Sequence, residues 1–142
     1  MNLSRKNCNA VLGVIVVNWN RRELLRACLD SLARQTHRCF EVVVVDNGST
    51  DGSAALVEEI AKSFPISLRL IANTANLGFC AANNQAILAT KTQLVAVLHN
   101  DAEADPRWLE ALEPAHRLVE DGGVATSPVL ELAEASRTDQ GG

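Results

Sequence analysis

Three short polar clusters interrupt an otherwise apolar chain: Asn18-Trp19-Asn20, Asp46-Asn47 and His99-Asn100-Asp101. A nucleotide base needs acceptors along its edge, which Asp46 offers, and an aromatic or apolar wall, which Trp19 offers. The diphosphate is the harder half, because carboxylates repel phosphate and the chain has no G-x-x-x-x-G-K loop. A bridging divalent cation resolves the conflict. Mg2+ and Mn2+ bind through one or two carboxylates plus phosphate oxygens, so Asp101 with a nucleoside diphosphate makes an adequate partial shell. Gly78 alone is a weak phosphate-loop signal. Asn83 and Asn84 are odd on an alanine-rich helix if that helix only packs.

Each residue also has a plainer reading. Asp46 ahead of Asn47-Gly48 is a ready Asx-turn, Trp19 after a buried strand can belong to the core, Asp101 can cap a turn, and His99 can be an ordinary loop histidine. A calcium loop is rejected, since an EF-hand needs an oxygen ligand two residues after its first Asp and Gly48 stands there.

The elements that must position these residues follow from the apolar pattern. Residues 12–17 and 40–45 are unbroken, largely β-branched runs, the pattern of strands buried on both faces of a parallel sheet. Between them Leu24, Leu25, Cys28, Leu29 and Leu32 recur at helical spacing. A turn-rich stretch at 46–52 precedes a helix carrying Leu56, Ile60 and Phe64 and ended by Pro65. A strand at 67–71, a loop at 73–78, a helix at 79–90 and a strand at 94–98 continue the alternation. Asp105-Pro106 reads as an N-cap with proline at the first helical position. Trp108, Leu112, Ala115 and Val119 then line one face, with Pro114 interrupting the helix and Gly122-Gly123 ending it. Residues 124–132 read as a fifth strand and the rest as a polar tail.

This is one α/β domain with a mostly parallel sheet and helices on both faces. In such sheets the ligand lies outside the carboxyl ends of the strands, where strand order reverses. For an order 3-2-1-4 the first and third clusters flank the crevice, and Asp46 stands one strand away.

Composition excludes several classes. With 142 residues, 47% hydrophobic and 21% charged, the chain fits one globular domain and not a disordered polymer. Thirteen Lys and Arg against 17 Asp and Glu leave a net charge of −4, and no basic cluster is longer than Arg21-Arg22, so nucleic acid is excluded as a partner. The apolar runs fall far short of the ~20 residues of a membrane-spanning helix. Cys8, Cys28, Cys39 and Cys80 show no C-x-x-C pair, and His37, His99 and His116 no zinc spacing, so structural zinc is not expected. In a chain able to build its own core, reduced thiols are expected.

Taken together, the segments resemble the family-two glycosyltransferases, which have the Rossmann-like GT-A nucleotide-sugar-binding fold. Val14-Ile-Val-Val-Asn-Trp-Asn-Arg21 is similar to the first-strand segment that walls the base. Glu41-Val-Val-Val-Val-Asp-Asn-Gly-Ser-Thr-Asp-Gly-Ser53 resembles the stretch whose strand-end aspartate, here Asp46, contacts the base. Asn76-Leu-Gly-Phe-Cys-Ala-Ala-Asn-Asn84 resembles the donor-side helix entry. Leu98-His-Asn-Asp-Ala-Glu-Ala-Asp-Pro-Arg-Trp-Leu109 resembles the segment carrying the D-x-D metal motif. Four such segments, in family order, span the chain from about Val11 to Leu130.

The resemblance implies an inverting transfer from a nucleotide-diphosphate sugar to a polysaccharide or glycolipid acceptor, with Mg2+ or Mn2+ as cofactor. It implies donor contacts from Asn18, Trp19, Asn20, Asp46, Gly78, Asn84, His99 and Asn100, and a metal contact from Asp101. The first acid of D-x-D is replaced by His99, so Asp101 alone carries over as a carboxylate ligand. The asparagine-rich form looks most like the rhamnosyltransferase branch, which implies a deoxysugar donor and a role in polysaccharide or cell-wall biosynthesis. Residues 1–10 are expected to be a lead, 11–132 an incomplete donor-binding domain and 133–142 a tail, with the acceptor half absent and the catalytic base beyond Gly142. A cytoplasmic location, at the membrane's inner face where the acceptor is lipid-linked, is part of the same expectation. Two alternatives stay open: a non-catalytic nucleotide-sugar-binding module, and a nucleotide-cofactor Rossmann enzyme.

Overall fold

The structure is a computed structural model, and it describes residues 12–112. The N-terminal lead, the Pro114 interruption, the fifth strand at 124–132 and the tail lie outside the described residues.

Among the described residues four strands and three complete helices alternate, before a further helical stretch that begins at 108: β1 (Leu12–Asn18), α1 (Arg22–Ala33), β2 (Phe40–Asn47), α2 (Ser53–Ala61), β3 (Ser67–Asn73), α3 (Phe79–Ala89) and β4 (Leu94–Val97). The sheet order is β3-β2-β1-β4, and every neighbouring pair is parallel. This is the order supposed above, with its reversal between β1 and β4. The two unbroken runs occupy the central positions, where both faces are covered. In β3 and β4 residues are half-buried or exposed, largely in alternation, as suits the outer strands of the described sheet.

Three strand ends differ from their apolar limits. Asn18 pairs in register with Asp46, and Asp46 and Asn47 pair with Ala72 and Asn73, so β1, β2 and β3 run on into polar residues. Their polarity hid them from a reading based on apolar runs. The fourth strand ends at Val97, one residue early, although the Leu98 N–H still donates to the Ile15 carbonyl at 3.0 Å.

On one face Val14, Val16, Val42 and Val44 pack against Leu25, Cys28, Leu29 and Leu32 of α1, Val57 of α2, and Trp108 and Leu109. On the other, Ile15, Val43 and Val45 meet Ala82 and Ala86 of α3. Alanines let α3 lie close on the sheet. Gly13 serves the chain leaving α3: a Cβ there would stand 2.6 Å from Thr90 Oγ1 and 2.7 Å from Thr92 Oγ1. Among the described residues Ile87 and Leu88 of α3 and Val95 and Val97 of β4 stay exposed.

Cys28 is a buried free thiol, pushed up by burial and by the negative charges of Asp101 and Glu103, and so is inert. Cys80 is free. Cys39 is disulfide-bonded, which corrects the expectation that all the thiols are reduced. That expectation rested on core-forming capacity, which bears on Cys28 but not on a half-buried residue just before β2. Among the described residues no helix is long and apolar enough to cross a membrane.

Candidate functional site

Because β1 and β2 end in register, Asn18 and Asp46 lie side by side at the carboxyl edge of the sheet. The Asn18 amide donates to Asp46 Oδ1 at 3.0 Å and also approaches Ser49 Oγ at 3.4 Å. From the β4 side, Asn100 Nδ2 donates to Asn18 Oδ1 at 2.8 Å. Asp46 further accepts the Ser49 hydroxyl at 2.6 Å and the Ser49 N–H at 3.0 Å. The three segments expected to meet at a ligand are thus joined through one side chain, Asn18.

Burial separates their roles. Asn18 has no exposed surface, and its side chain holds Asp46 and Asn100 from below. Asp46 is 2% exposed, and its contacts with Ser49 realise the local turn-forming reading. An ionised carboxylate has about four lone-pair sites, so three partners leave about one for a ligand.

The loop after β1 is pinned on both sides of Trp19. Asn20, in the left-handed region at φ 51°, accepts the Thr50 N–H at 2.7 Å through Oδ1, while its own N–H donates to Ser49 Oγ at 2.8 Å. Asparagine tolerates this conformation better than most residues. With its neighbours tied down, Trp19 is 52% exposed and is not a core residue.

Asp51 fastens the next turn. Its Oδ2 accepts the Arg22 N–H at 2.9 Å, and its Oδ1 accepts the N–H and hydroxyl of Ser53 at the start of α2. The Ser53 hydroxyl first, then these backbone N–H groups, hold the Asp51 carboxyl below its ordinary value.

A second amide network lay outside the sequence reading. Asn47, buried in β2, donates to the Gly78 carbonyl at 3.2 Å and accepts from Asn73 Nδ2 at 2.9 Å. Asn73 and Gln85 exchange two bonds, at 2.7 and 2.9 Å. Asn47 therefore anchors the loop leading into α3. Single polar residues spaced along the chain carry no signal of such pairing; only the strand register brings them together. Gly78 has φ 92° and ψ 161°, a glycine conformation, yet a Cβ there would meet nothing within 4 Å. Its requirement is backbone shape, not space. Asn84 is exposed on α3, whereas Asn83 donates to the Phe79 carbonyl at 3.1 Å and leaves its own Oδ1 buried without a partner.

After β4 the His99 carbonyl accepts the Ala102 N–H at 3.0 Å and the Cys28 thiol at 3.6 Å. The Ala104 N–H donates to Ser31 Oγ at 2.9 Å. These bonds fix the segment against α1. The His99 ring is exposed and stacks on Phe79, with centroids 6.3 Å apart and planes 7° from parallel. Asp101 pairs with Arg21 at 3.4 Å. Asp105 Oδ1 accepts the Arg107 N–H at 2.9 Å, but residues 106 and 107 form a turn and helical residues begin only at 108, so Pro106 is not at the first helical position as expected.

Among the described residues no three His, Cys, Asp or Glu side chains gather to hold a cation. A closed protein cage is therefore not what these residues form. One partly exposed hard carboxylate, Asp101, fits Mg2+ or Mn2+ as a partial shell completed by phosphate oxygens and water.

Comparison with known proteins agrees with this geometry. Residues 13–131 match Glycosyl transferase family 2. The chain is 32% identical over 106 residues to the uncharacterized glycosyltransferase YibD of Escherichia coli, covering 75% of this chain and 30% of that protein. It is 33% identical over 92 residues to a teichoic acid poly(glycerol phosphate) polymerase of Staphylococcus epidermidis, covering 65% of this chain and 13% of the polymerase. The chain thus spans under a third of the length of either.

Among solved structures, a mannosyltransferase from Pyrobaculum calidifontis in complex with GDP-Man and Mn2+ superposes with a TM-score of 0.67 at 28% identity, covering 74% of this chain and 33% of that one. TarS of S. aureus in complex with UDP-GlcNAc shares the fold, with a TM-score of 0.70 at 24% identity over 82% of this chain and 37% of that one. The fold is Rossmann-like, as in GT-A glycosyltransferases. With its family match covering most of its length, the chain belongs to glycosyl transferase family 2.

Proposed function

We propose that this chain is the nucleotide-sugar-binding portion of an inverting glycosyltransferase, with the donor seated at the carboxyl ends of β1, β2 and β4. The observation that supports this most is the Asp46–Asn18–Asn100 chain of hydrogen bonds, which ties a base-accepting carboxylate to the segment bearing Asp101. In this reading Asp46 uses its remaining acceptor site for a ring N–H of the base, and Trp19 walls the base. Asn20 holds the loop shape, and Gly78 lets the chain turn toward the donor at the entry to α3. Asn84, His99 and Asn100 line the sugar and diphosphate side. Asp101 holds Mg2+ or Mn2+, which when bound offsets the charge of the departing diphosphate. The complex of the mannosyltransferase neighbour with GDP-Man and Mn2+ supports that donor chemistry.

The acceptor in this proposal is a polysaccharide or glycolipid at the inner face of the membrane. Relatives named for teichoic acid and colanic acid synthesis support that class. The donor is a deoxysugar nucleotide. The base that deprotonates the acceptor hydroxyl belongs to the acceptor-binding half of the family fold. Asp105 is unsuited to that role, because its carboxylate caps Arg107.

Trp19 provides the test, since it is half exposed while Trp108 is buried. Adding UDP- or GDP-sugars should change the fluorescence saturably in the parent chain and not in Trp19→Phe. A response to NAD and none to nucleoside diphosphate sugars would contradict the proposal and favour a dinucleotide enzyme.

A further inference from the structure

Arg21 lies outside every role assigned above. It follows the β1 cluster directly, and its Nη1 donates to Asp101 Oδ2 at 3.4 Å, joining positions 80 residues apart in sequence. The two side chains are 52% and 36% exposed, so both reach the surface at this edge of the sheet. This long contact engages one corner of a planar guanidinium with five N–H donors, a group suited to forked contact with phosphate oxygens.

The other arginines nearby have different commitments. Arg22 pairs with Glu23 at 2.7 Å, and Arg26 approaches the same Glu23 at 3.7 Å. Arg107 makes two bonds to Glu110.

The charge balance gives Arg21 a task. Asp46 and Asp101 put two carboxylates at this edge, and a nucleoside diphosphate adds further negative charge. A single-carboxylate cation site leaves the diphosphate short of positive partners whenever the cation dissociates. A guanidinium already poised on Asp101 adds a permanent positive charge beside it.

We propose that Arg21 is a diphosphate-binding residue of the donor site, its guanidinium bridging Asp101 and the phosphate oxygens so that the crevice retains nucleotide even without the divalent cation. The proposal rests on the nucleotide-sugar reading above. It differs from a purely positioning role, in which Arg21 would only orient Asp101.

The test is calorimetry of the purified chain with UDP and GDP, in Mn2+ and in a chelator, using Arg21→Gln, Arg21→Lys, Asp101→Asn and the Arg21→Gln/Asp101→Asn double variant. NMR titration with uridine and guanosine reports the base subsite and the folded state of each variant. Arg21→Gln should weaken the diphosphates about tenfold to a hundredfold, the loss of one charge-assisted contact, with and without Mn2+. Nucleoside shifts should be unchanged, and Arg21→Lys should be intermediate. The loss should persist when Asp101 is already Asn. If it disappears in that background, Arg21 acts only through Asp101 and the proposal is overturned. If the parent binds the diphosphates and Arg21→Gln binds them equally, the Arg21 proposal fails while the donor site stands. If the parent binds no nucleoside diphosphate under either condition, both fail.

Discussion

Asn100 and Asn18, 82 residues apart in sequence, are joined by a 2.8 Å hydrogen bond from the Asn100 amide to the Asn18 side-chain carbonyl. Asn18 is wholly buried and its own amide donates a hydrogen bond to Asp46. Two ends of the site are therefore set by one side chain that has no exposed surface.

Replacing Asn18 by Ala removes both bonds and leaves the buried Asp46 oxygen and the Asn100 amide short of partners. Losing a buried partner costs ~1–3 kcal/mol. Urea denaturation should show a destabilisation of that size, and nucleoside diphosphate affinity should fall with it. Unchanged stability would mean that water replaces the amide and that Asn18 is not the organiser described.

Asp46→Ala should weaken a nucleoside diphosphate whose base carries a ring N–H by roughly tenfold to a hundredfold, the worth of a hydrogen bond to a charged group. Free pyrophosphate should bind almost as before. Calorimetry with both ligands separates the outcomes, because equal losses would point to collapse of the Ser49 turn and not to a missing base contact.

Much of this arrangement was legible in the sequence. The buried central strands followed from two unbroken apolar runs and the β-α alternation, and the rule for open sheets placed the three clusters on one edge, while the strand order itself was only supposed. The sequence did not reveal depth. Asn18, Trp19 and Asn20 are neighbours, yet they are respectively buried, exposed and turned into a left-handed conformation. Asn18 is the last residue of buried β1 while Trp19 and Asn20 lie beyond it, and the Asn20–Thr50 bond that shapes this loop comes from a turn distant in sequence. The Asn47–Asn73–Gln85 network escaped for the same reason, since register between β2 and β3 creates it.

Two glycines should rank differently on substitution by Ala. Gly78 has a positive φ but open space, so Gly78→Ala carries only the backbone cost, about 1–3 kcal/mol. Gly48 has φ 77°, and an added Cβ would also lie 2.9 Å from the Ala75 backbone. Thermal unfolding should therefore find Gly48→Ala the more destabilised, and the reverse order would contradict the loop geometry.

Asp51 gives a pH dependence. Its carboxyl is held below the ordinary value of 3.8, so its bonds to Ser53 and Arg22 contribute stability above that pH. This contribution fades as pH falls through the lower folded value. Asp51→Asn should lower the urea midpoint at pH 7, with the difference from the parent shrinking as pH falls below the ordinary carboxylate value. A constant difference across that range would remove the ionised carboxylate from the account.

The central claim is that this edge of the sheet binds a nucleoside diphosphate with help from a cation held at Asp101. Calorimetry of the chain with UDP and GDP, in Mn2+ and then in excess chelator, tests it most directly when repeated on Asp101→Ala. The account predicts saturable binding by the parent, strengthened by Mn2+, with that strengthening lost in the variant. Absence of binding in every condition, or an Mn2+ effect of equal size in Asp101→Ala, would contradict it.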